Sequence, residues 1–287
     1  MRYVDLPEGD KTMATDYGSA RRLSFYLSME EYLTRVVRHG ENVESNMVAD
    51  GDRDLFFMWQ VRPSVIYGRN QLLENEVNLD YCKTHGIEVF QRKSGGGCVY
   101  ADMGNLMLSY VTCEKNVNMA FYTFINMLLL VLRKMGVEGV STKNNDVLLP
   151  VKESGDAEHV GNQQWRKVSG TACHYLHDCS IVHGTLLYDT DMENMLHAIT
   201  PSAEKLQKKG IQSVRQRITF LRDYVSLSLD EVKTVIRDTL CNGSLTLTTS
   251  DVEEIERLEQ ELFNLNSNKN YGNQTRTYPT RETHLSL

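Results

Sequence analysis

Hydrophobic positions recur at helical spacing in several segments of the chain. Between residues 19 and 40, apolar side chains return every three or four positions and end at a glycine, which predicts a helix with a C-terminal stop. Residues 119–135 are strongly apolar and too long for a strand, so they predict a second helix. The same spacing predicts further helices at 76–84, 229–240 and 252–264.

Short runs rich in β-branched and aromatic residues predict strands between these helices. Two runs at 55–67 are separated by Arg62-Pro63 and closed by Gly68, and we expect them to form adjacent strands. Further strands are predicted at 88–90, 105–112, 146–150, 167–173 and 181–188. Because strands follow strands and helices stand apart, the order predicts an α+β fold rather than a regular doubly wound sheet.

Three polar segments interrupt this pattern. Residues 151–164 are acidic and contain two glycines, which predicts an exposed loop, and residues 202–210 predict a polar turn. Residues 266–287 have no apolar periodicity, which predicts a loose C-terminal tail. The chain is therefore expected to form one domain over 1–265, followed by a tail over 266–287.

Composition fits one sizeable domain, or one domain with an appendage, because 41% of the 287 residues are hydrophobic and 24% are charged. The longest apolar stretch lies near residues 127–132 and is shorter than the roughly 20 residues that cross a bilayer. The N-terminus has no apolar signal region. No membrane association is expected.

Cysteine content indicates the cellular compartment, and net charge limits the classes of binding partner. Six cysteines at irregular spacing indicate reduced thiols rather than a disulfide framework, which predicts a cytoplasmic protein. The net charge of -7 argues against a surface that binds nucleic acid phosphates. Any anion site must therefore be local.

A glycine-rich run between two predicted strands is the first candidate site. Gly95, Gly96 and Gly97 let backbone amides approach a ligand, and Arg92 and Lys93 add positive charge beside them. Such a run predicts an anion cradle, although a tight connection is the commoner role of a glycine turn. It is neither a P-loop, which needs a following Gly-Lys-Ser/Thr, nor a dinucleotide motif, which needs a following helix.

Three polar residues on later predicted strands form the second candidate site. Asp146 is suited to Mg²⁺, and Lys167 is suited to neutralising charge at a reacting carboxylate and an α-phosphate. His183 precedes Gly184-Thr185 on the next predicted strand. Each residue also has an ordinary structural role: a turn aspartate, a solvated lysine and a satisfied structural histidine.

Several motifs, in register, resemble lipoate-protein ligase A. The resemblance covers about residues 20–265 and implies a biotin/lipoate ligase-like catalytic domain with mixed β-sheets packed with helices. It rests on Arg92 to Gly97 with Asp102 and Gly104-Asn105, on Asn145-Asp146, on Lys167 to Ala172, on His183 to Thr185, and on the flanking segments 59–71 and 209–215.

The resemblance implies a two-step reaction that uses ATP and Mg²⁺. Lipoate and ATP form lipoyl-adenylate and pyrophosphate, and a lysine of an acceptor domain then attacks the mixed anhydride. The implied acceptors are the lipoyl domains of 2-oxoacid dehydrogenase E2 subunits and the glycine cleavage H protein. Activation is needed because a bare carboxylate has no leaving group.

Residue roles follow from the same resemblance. Lys167 is the implied catalytic residue, Asp146 the implied metal ligand, and the implied ATP-binding residues are Lys93, Lys143, Asn145 and Lys167. The apolar half of the pocket is expected near Tyr67, Val99 and Met107. The implied lipoate and lipoyl-adenylate site consists of Arg92, Ser94, Gly95, Gly96, Gly97, Cys98, Val99, Asn105, Ser169, Gly170, Ala172, His183, Gly184 and Thr185.

The chain departs from the family pattern at several positions. Gln91 stands where the family usually has an arginine, Ala101 where it has a histidine, and Met107 where it has an asparagine. These changes leave the choice between lipoate and octanoate open. The accessory domain that typically follows the catalytic domain is not expected here, and some short relatives need a separate partner protein.

Two rival hypotheses remain. An octanoyl or lipoyl transferase of the same fold would use no ATP and would need a reactive thiolate, for which Cys98, Cys113 and Cys173 are candidates. The segment 141–143, where a transferase nucleophile is expected, contains no cysteine. A metal-binding module would use Cys173, His174, His177 and Cys179, whose spacing matches no standard zinc site.

Overall fold

Two β-sheets covered by helices form the fold. The computed structural model describes residues 1–7, 21–39, 53–151, 164–199 and 217–270. The strands are β1 (Arg2–Asp5), β2 (Leu55–Trp59), β3 (Ser64–Tyr67), β4 (Glu88–Gln91), β5 (Val99–Ala101), β6 (Asn105–Thr112), β7 (Val140–Ser141), β8 (Asp146–Pro150), β9 (Trp165–Leu176), β10 (Cys179–Leu187) and β11 (Gly243–Thr246).

The α-helices flank these strands, and a short 3₁₀ helix spans Leu221–Asp223. They are α1 (Leu23–His39), α2 (Leu73–Glu76), α3 (Leu79–Thr84), α4 (Val117–Lys134), α5 (Met192–Ala198), α6 (Leu229–Leu240) and α7 (Thr249–Asn270). The larger sheet has the order β11-β1-β2-β6-β10-β9-β8-β7, and the smaller one has the order β4-β3-β5. Both sheets mix parallel and antiparallel pairs, which confirms the predicted α+β class.

The central strands β6 and β10 are buried along their whole length because helices cover both faces of the larger sheet. One face packs against α1 and α7 through residues such as Met107 and Ile181. The other face packs against α4 and α6 through the alternate residues, such as Leu108 and Val182. The two-residue period of a strand therefore divides the core into two layers.

Helix α4 is longer and more apolar than the stretch noted in the sequence at 127–132. Within the described ranges, it alone is long and apolar enough to cross a membrane by length and composition. Its buried residues, among them Phe124, Leu128 and Leu132, pack in the core layer against β6 and β10. These contacts make α4 a core helix of this fold.

Some predicted elements differ from the structure. The two runs at 55–67 form strands of different sheets, not neighbours, because the chain leaves β2 for the smaller sheet at Arg62-Pro63. The helix predicted at 76–84 is split at Val77, and Asn78 caps the second part by accepting from the Tyr81 amide. Strands β1, β5, β7 and β11 and helix α5 were not predicted.

The remaining predictions concern the C-terminal tail and the polar segments. Helix α7 continues to Asn270, so the expected tail at 266–287 begins inside a helix. The polar turn at 202–210, the motif at 209–215, and residues 152–163 of the predicted loop lie outside the described residues.

Candidate active site

A row of residues that crosses five strands of the larger sheet forms the floor of a cavity. Trp59 of β2 pairs with Met107 of β6, which pairs with Thr185 of β10. The amide of Gly170 in β9 donates to Thr185 Oγ1 at 3.3 Å, and Gly170 pairs with Asp146 of β8. All five residues line the same cavity of about 190 Å³.

The glycine turn forms one wall of this cavity. Gly96, Gly97, Cys98 and Val99 line it, and Gly96 has a φ of +91°, a conformation that side chains disfavour. A Cβ atom added to Gly68 would lie 2.3 Å from the carbonyl oxygen of Gly96. Glycine is therefore required where the loop after β3 touches the turn.

The guanidinium of Arg92 braces the turn from within. Its Nη1 donates to the Ile66 carbonyl at 2.9 Å, and its Nη2 donates to the carbonyls of Gly95 and Gly97, both at 2.7 Å. Its Nε donates to Ser94 Oγ at 2.9 Å. Burial lowers the pKa of Arg92 to about 10, partly offset by Cys98 and Glu30. The arginine thus shapes the cavity wall as well as lining the cavity.

The ammonium of Lys167 reaches the opposite side of the same cavity. Its Nζ lies 2.8 Å from Oδ1 of Asp146, and the two side chains are 38% and 27% exposed. A Cβ atom added to Gly170 would lie 2.5 Å from Nζ, so glycine at that position leaves room for the ammonium. The Thr219 amide donates to the Lys167 carbonyl at 2.9 Å and anchors the strand from its other side.

His183 links the glycine turn to helix α1. Its Nε2 lies 2.7 Å from Ser94 Oγ, and its Nδ1 lies 3.0 Å from Oε2 of Glu30. The ring lines the cavity and is 8% exposed. A histidine, an ammonium and the glycine turn therefore converge on one hollow.

Comparison with known proteins identifies the family of this site. Residues 23–241 match the family model of the lipoyl protein ligase A/B catalytic domain. The chain belongs to this family. Among curated members, lipoate-protein ligase 1 of Staphylococcus aureus is 32% identical over 244 residues, which are 83% of this chain and 66% of that protein. The chain thus spans about two thirds of that relative's length.

Two solved structures of lipoate-protein ligases share the fold. The bi-partite lipoate protein ligase of Thermoplasma acidophilum, studied with its E2 lipoyl domain, is 26% identical with a TM-score of 0.67, covering 92% of this chain and 91% of that one. A lipoate-protein ligase A bound with ATP is 25% identical with a TM-score of 0.63, covering 92% and 94%.

Most of the residues implied by resemblance to the lipoate ligases meet in this cavity. Those that line it are Arg92, Gly96, Gly97, Cys98, Val99, Asp146, Lys167, Gly170, Ala172, His183, Gly184 and Thr185. The apolar half was expected from the neighbourhood of Tyr67, Val99 and Met107: Met107, Val99 and Ile66, which precedes Tyr67, line the cavity, whereas Tyr67 itself does not. The triple glycine and Lys167, which lie about 70 positions apart in the sequence, share one hollow.

Other implied residues lie outside the cavity lining. Ser94, Asn105 and Ser169 are buried behind it. The Lys93 ammonium pairs with Oε2 of Glu31 at 2.5 Å. The remaining three residues outside the lining are Gly95, Lys143 and Asn145.

The sequence did not point to several residues of the lining. Thr171 lies inside the motif at 167–172, Ile66 and Trp59 lie inside the flanking segment at 59–71, and Asn144 precedes Asn145-Asp146. Nothing local showed that these four residues line the cavity. Leu27 carried no such signal either, since only the packing of α1 on the sheet brings it there.

The donors in the cavity suit Mg²⁺ when it is bound together with a nucleotide. Asp146 is the one carboxylate among the described lining residues, and the Asn144 amide lies beside it. Mg²⁺ usually takes one or two carboxylates, with water and substrate phosphates completing its shell. Within the described ranges, no three His, Cys, Asp or Glu side chains form a metal site, so a dedicated cage is not present there.

The cysteines bear on the two rival hypotheses. Of the three candidate thiols, Cys98 lines the cavity, whereas Cys113 and Cys173 do not. Burial raises the pKa of Cys173 to about 11, which disfavours a thiolate. Within the described residues, Cys173, His174, His177 and Cys179 belong to no group that could hold a metal ion, so the rival hypothesis of a metal-binding module has no support there.

Proposed function

We propose that this chain activates lipoate with ATP as lipoyl-adenylate and transfers the lipoyl group to a lysine of an acceptor domain. The observation that carries this proposal is the meeting of the Lys167 ammonium and the glycine turn in one cavity with apolar walls. Membership of a family whose relatives are lipoate-protein ligases supports the same reaction.

In the first step, a carboxylate oxygen of lipoate attacks the α-phosphorus of ATP. The bond from that phosphorus to the bridging oxygen breaks, and pyrophosphate leaves. The Lys167 ammonium lies beside the reacting groups and stabilises the negative charge that grows on the α-phosphate. The amides of the turn at Gly96 and Gly97 contribute further positive ends of dipoles.

Asp146 has two roles in this step. Its carboxylate holds the Lys167 ammonium in place at 2.8 Å before substrates bind. With ATP present, Asp146 would hold Mg²⁺ with the phosphates, and the ion supplies charge neutralisation to the leaving pyrophosphate.

The acyl chain fits the apolar part of the lining. Leu27, Trp59, Ile66, Val99 and Met107 surround this part of the cavity. Burial of a methylene group stabilises the complex by about 0.8 kcal/mol, so a chain of eight carbons gains most of its affinity from this wall. Lipoate and octanoate share that chain.

In the second step, the neutral amine of an acceptor lysine attacks the acyl carbon. The amide bond forms, the bond from carbon to the phosphate oxygen breaks, AMP leaves, and the amine loses a proton. The acceptors in this proposal are E2 lipoyl domains and the glycine cleavage H protein. A bi-partite ligase is among the related structures, so a separate accessory protein is a candidate partner.

The cytoplasm is the proposed compartment. All six cysteines lie within the described residues, and none of them is in a disulfide. Reduced thiols in this number are typical of a reducing compartment.

An ATP-independent transferase is the second candidate, and the position of Cys98 in the cavity favours it. A transferase would attack an acyl carrier with Cys98 and hold the acyl group as a thioester. Cys98→Ser separates the two reactions, since a ligase retains its activity in this variant and a transferase loses it.

Release of pyrophosphate tests the proposal. We expect the full chain to release pyrophosphate when incubated with lipoate, ATP and Mg²⁺, and to form lipoyl-AMP detectable by mass spectrometry. Adenylation is measured without an acceptor, so that a missing accessory protein does not affect the result. An absence of pyrophosphate, together with acyl-enzyme formed from octanoyl carrier protein, would establish the transferase instead.

A further inference from the structure

Helix α1 places a buried carboxylate behind the cavity. Glu30 is 4% exposed and does not line the cavity, but it touches two residues of the sheet beneath. Ser109 Oγ lies 2.6 Å from its Oε1, and His183 Nδ1 lies 3.0 Å from its Oε2. Neither resemblance nor sequence pattern marked Glu30 as functional.

On one side of Glu30, the direction of the hydrogen bond from Ser109 is fixed by Trp59. The indole Nε1 of Trp59 is a donor only, and it donates to Ser109 Oγ at 2.8 Å. The hydroxyl proton of Ser109 is therefore directed to Glu30, the remaining neighbour at hydrogen-bond distance. Glu30 thus accepts a hydrogen bond from Ser109, and Ser109 in turn orients Trp59, which lines the cavity.

The other side of Glu30 is equally determined. Arg92 Nε is a donor only, and it donates to Ser94 Oγ at 2.9 Å. Ser94 Oγ lies 2.7 Å from His183 Nε2, and a hydroxyl can donate to that nitrogen or accept from it. The Glu30 carboxylate decides between the two because its oxygens only accept, so His183 Nδ1 carries the proton that it donates to Glu30. In the neutral ring Nε2 then accepts the hydroxyl proton of Ser94. This tautomer follows from the network of heavy atoms.

The set Ser94, His183 and Glu30 has the connectivity of a nucleophile, base and carboxylate triad. Its position excludes that use. Ser94 is 2% exposed, and it borders a hollow of about 20 Å³ behind the turn rather than the acyl cavity. The set therefore holds elements together instead of attacking substrate.

We propose that Glu30 is a positioning residue that fixes His183 as its Nδ1-protonated form and, through Ser94, sets the glycine turn against the acyl cavity. The proposal rests on the proposed ligase function. Glu30 acts where α1, β10 and the glycine turn meet, and each hydrogen bond in the chain depends on the direction of the one before it. Loss of its acceptor oxygens leaves buried donors on Ser109 and His183 unpaired.

Glu30→Gln tests this arrangement with almost no change of volume. The introduced amide presents one acceptor and a donating NH₂ group in place of two acceptors. If its oxygen takes the place of Oε1 and serves Ser109, its NH₂ takes the place of Oε2 and faces His183 Nδ1. The one remaining acceptor is then shared between Ser109 and Nδ1, which lies 3.1 Å from it, so a shift of the ring proton to Nε2 is favoured. A proton on Nε2 faces the hydroxyl proton of Ser94. The hydrogen bond between Ser94 and His183 is then either lost or runs from His183 to Ser94.

The direct measurement is ¹H–¹⁵N NMR of the histidine rings, with the His183 signals identified by their absence from His183→Asn. We expect the wild-type protein to show a protonated Nδ1 and an unprotonated Nε2. In Glu30→Gln we expect the proton to lie on Nε2 instead of Nδ1, or the signals to show a mixture of the two tautomers. Unchanged His183 signals in that variant would overturn the proposal. This readout requires no activity, so it stands even if adenylation is not found.

Kinetics separates positioning from a merely structural role. In Glu30→Gln we expect the KM for lipoate to rise about tenfold, the loss typical of one buried hydrogen bond to a charged group, while the KM for ATP stays within about twofold. Equal changes in both constants would contradict a role in setting the acyl cavity.

Glu259→Gln is the matched control. Glu259 is also a buried carboxylate, 3% exposed, which accepts from a serine hydroxyl, that of Ser24 at 2.5 Å, and from Arg22 at 3.0 Å. It lies on α7 and does not line the cavity. We expect it to lower stability without changing either KM or the His183 signals; a matching rise in the KM for lipoate would overturn the proposal.

Discussion

The position of the Lys167 ammonium depends on the absence of a side chain at Gly170. A Cβ atom there would lie 2.5 Å from Nζ and 2.7 Å from Cε. Both atoms are at the end of a flexible chain, so the lysine can move aside at little cost to folding. Its 2.8 Å contact with Asp146 would be lost in that movement.

Gly170→Ala should therefore impair chemistry more than stability. We expect the rate of adenylate formation to fall by about 10- to 100-fold, because displacement of a catalytic group by about 1 Å has effects of this size. The midpoint of thermal unfolding should change by less than about 4 °C, the shift that accompanies roughly 1 kcal/mol. Gly243→Ala, where the added atom meets Arg2 at an ordinary 3.7 Å, is the control. A large loss of stability with normal activity would refute this expectation.

His174 makes stability depend on pH. Burial lowers its pKa from 6.5 to about 4, and the nearby Lys93, His183 and Arg69 act in the same direction against the weaker opposing effect of Glu30. The unfolded chain takes up a proton below pH 6.5, but the folded chain does not until about pH 4. The stability that neutral His174 contributes is thus complete above pH 6.5 and is lost as the pH falls towards 4.

His174→Gln should weaken this dependence. Between pH 7 and pH 5, we expect the wild-type protein to lose about 1 kcal/mol more of its free energy of unfolding than the variant, after allowance for solvent screening. Urea unfolding at the two pH values measures the difference. Equal losses in both proteins would show that other groups cause the acid sensitivity.

At the level of elements, Gly184 allows helix α4 to pack closely on β10. A Cβ atom at this position would lie 2.9 Å from Phe124 Cε1 and 3.0 Å from Thr171 Cγ2. Phe124 is 2% exposed and has little room to move. Because Gly184 and Thr171 also line the cavity, this contact lies at the border between the cavity and the core layer under α4.

Gly184→Ala should lower the free energy of unfolding by about 1–3 kcal/mol, the usual cost of an added atom in a packed core. Denaturant unfolding measures this change. Gly184→Ala with Phe124→Leu should recover part of the loss, because the smaller side chain makes room. No loss in the single variant would mean that α4 can shift without cost.

Elements with an apolar pattern of their own could be predicted from the sequence, and those that depend on distant partners could not. The apolar runs of β6 and β8 and the helical repeat of α6 match their observed bounds, since each pattern is local. The four-residue strand β1 carries little local signal, because its stability comes from pairing with β11, with Arg2 opposite Gly243. The assignment of β2 and β3 to different sheets likewise depends on distant partners.

In the site, likewise, some residues could be recognised from the sequence and others could not. The glycine run and Lys167 could be recognised as motifs because their chemistry is local. The inward brace of Arg92 and the contribution of Leu27 could not, since both depend on where other elements pack. The chain of bonds through Glu30, from Trp59 to Arg92, was missed because its members come from five separate segments.

At the level of the whole molecule, helix α7 lies beyond the family-matched residues 23–241 but belongs to the same core. Ile255 is fully buried, and Arg35 on α1 pairs with Glu254 at 3.1 Å. Helix α1 supplies Leu27 to the cavity. Helix α7 is thus part of the support of the site rather than an appendage.

Ile255→Ala should lower the free energy of unfolding by about 2–5 kcal/mol, as expected for a large buried side chain. Glu253→Ala, at an exposed position of the same helix, should change it by less than about 0.5 kcal/mol. Denaturant unfolding of both variants measures the difference. Similar small effects in both would show that α7 packs on the domain without stabilising it.

The central claim is that the Lys167 ammonium and the glycine turn hold a carboxylate against the α-phosphate of ATP. The most direct test is the single-turnover rate of lipoyl-AMP formation in Lys167→Ala, with Lys134→Ala as an exposed control. We predict that the rate falls by at least about 100-fold, the usual loss for a group that stabilises transition-state charge, while circular dichroism shows an intact fold. A Lys167→Ala rate within about tenfold of the wild-type rate would contradict the account.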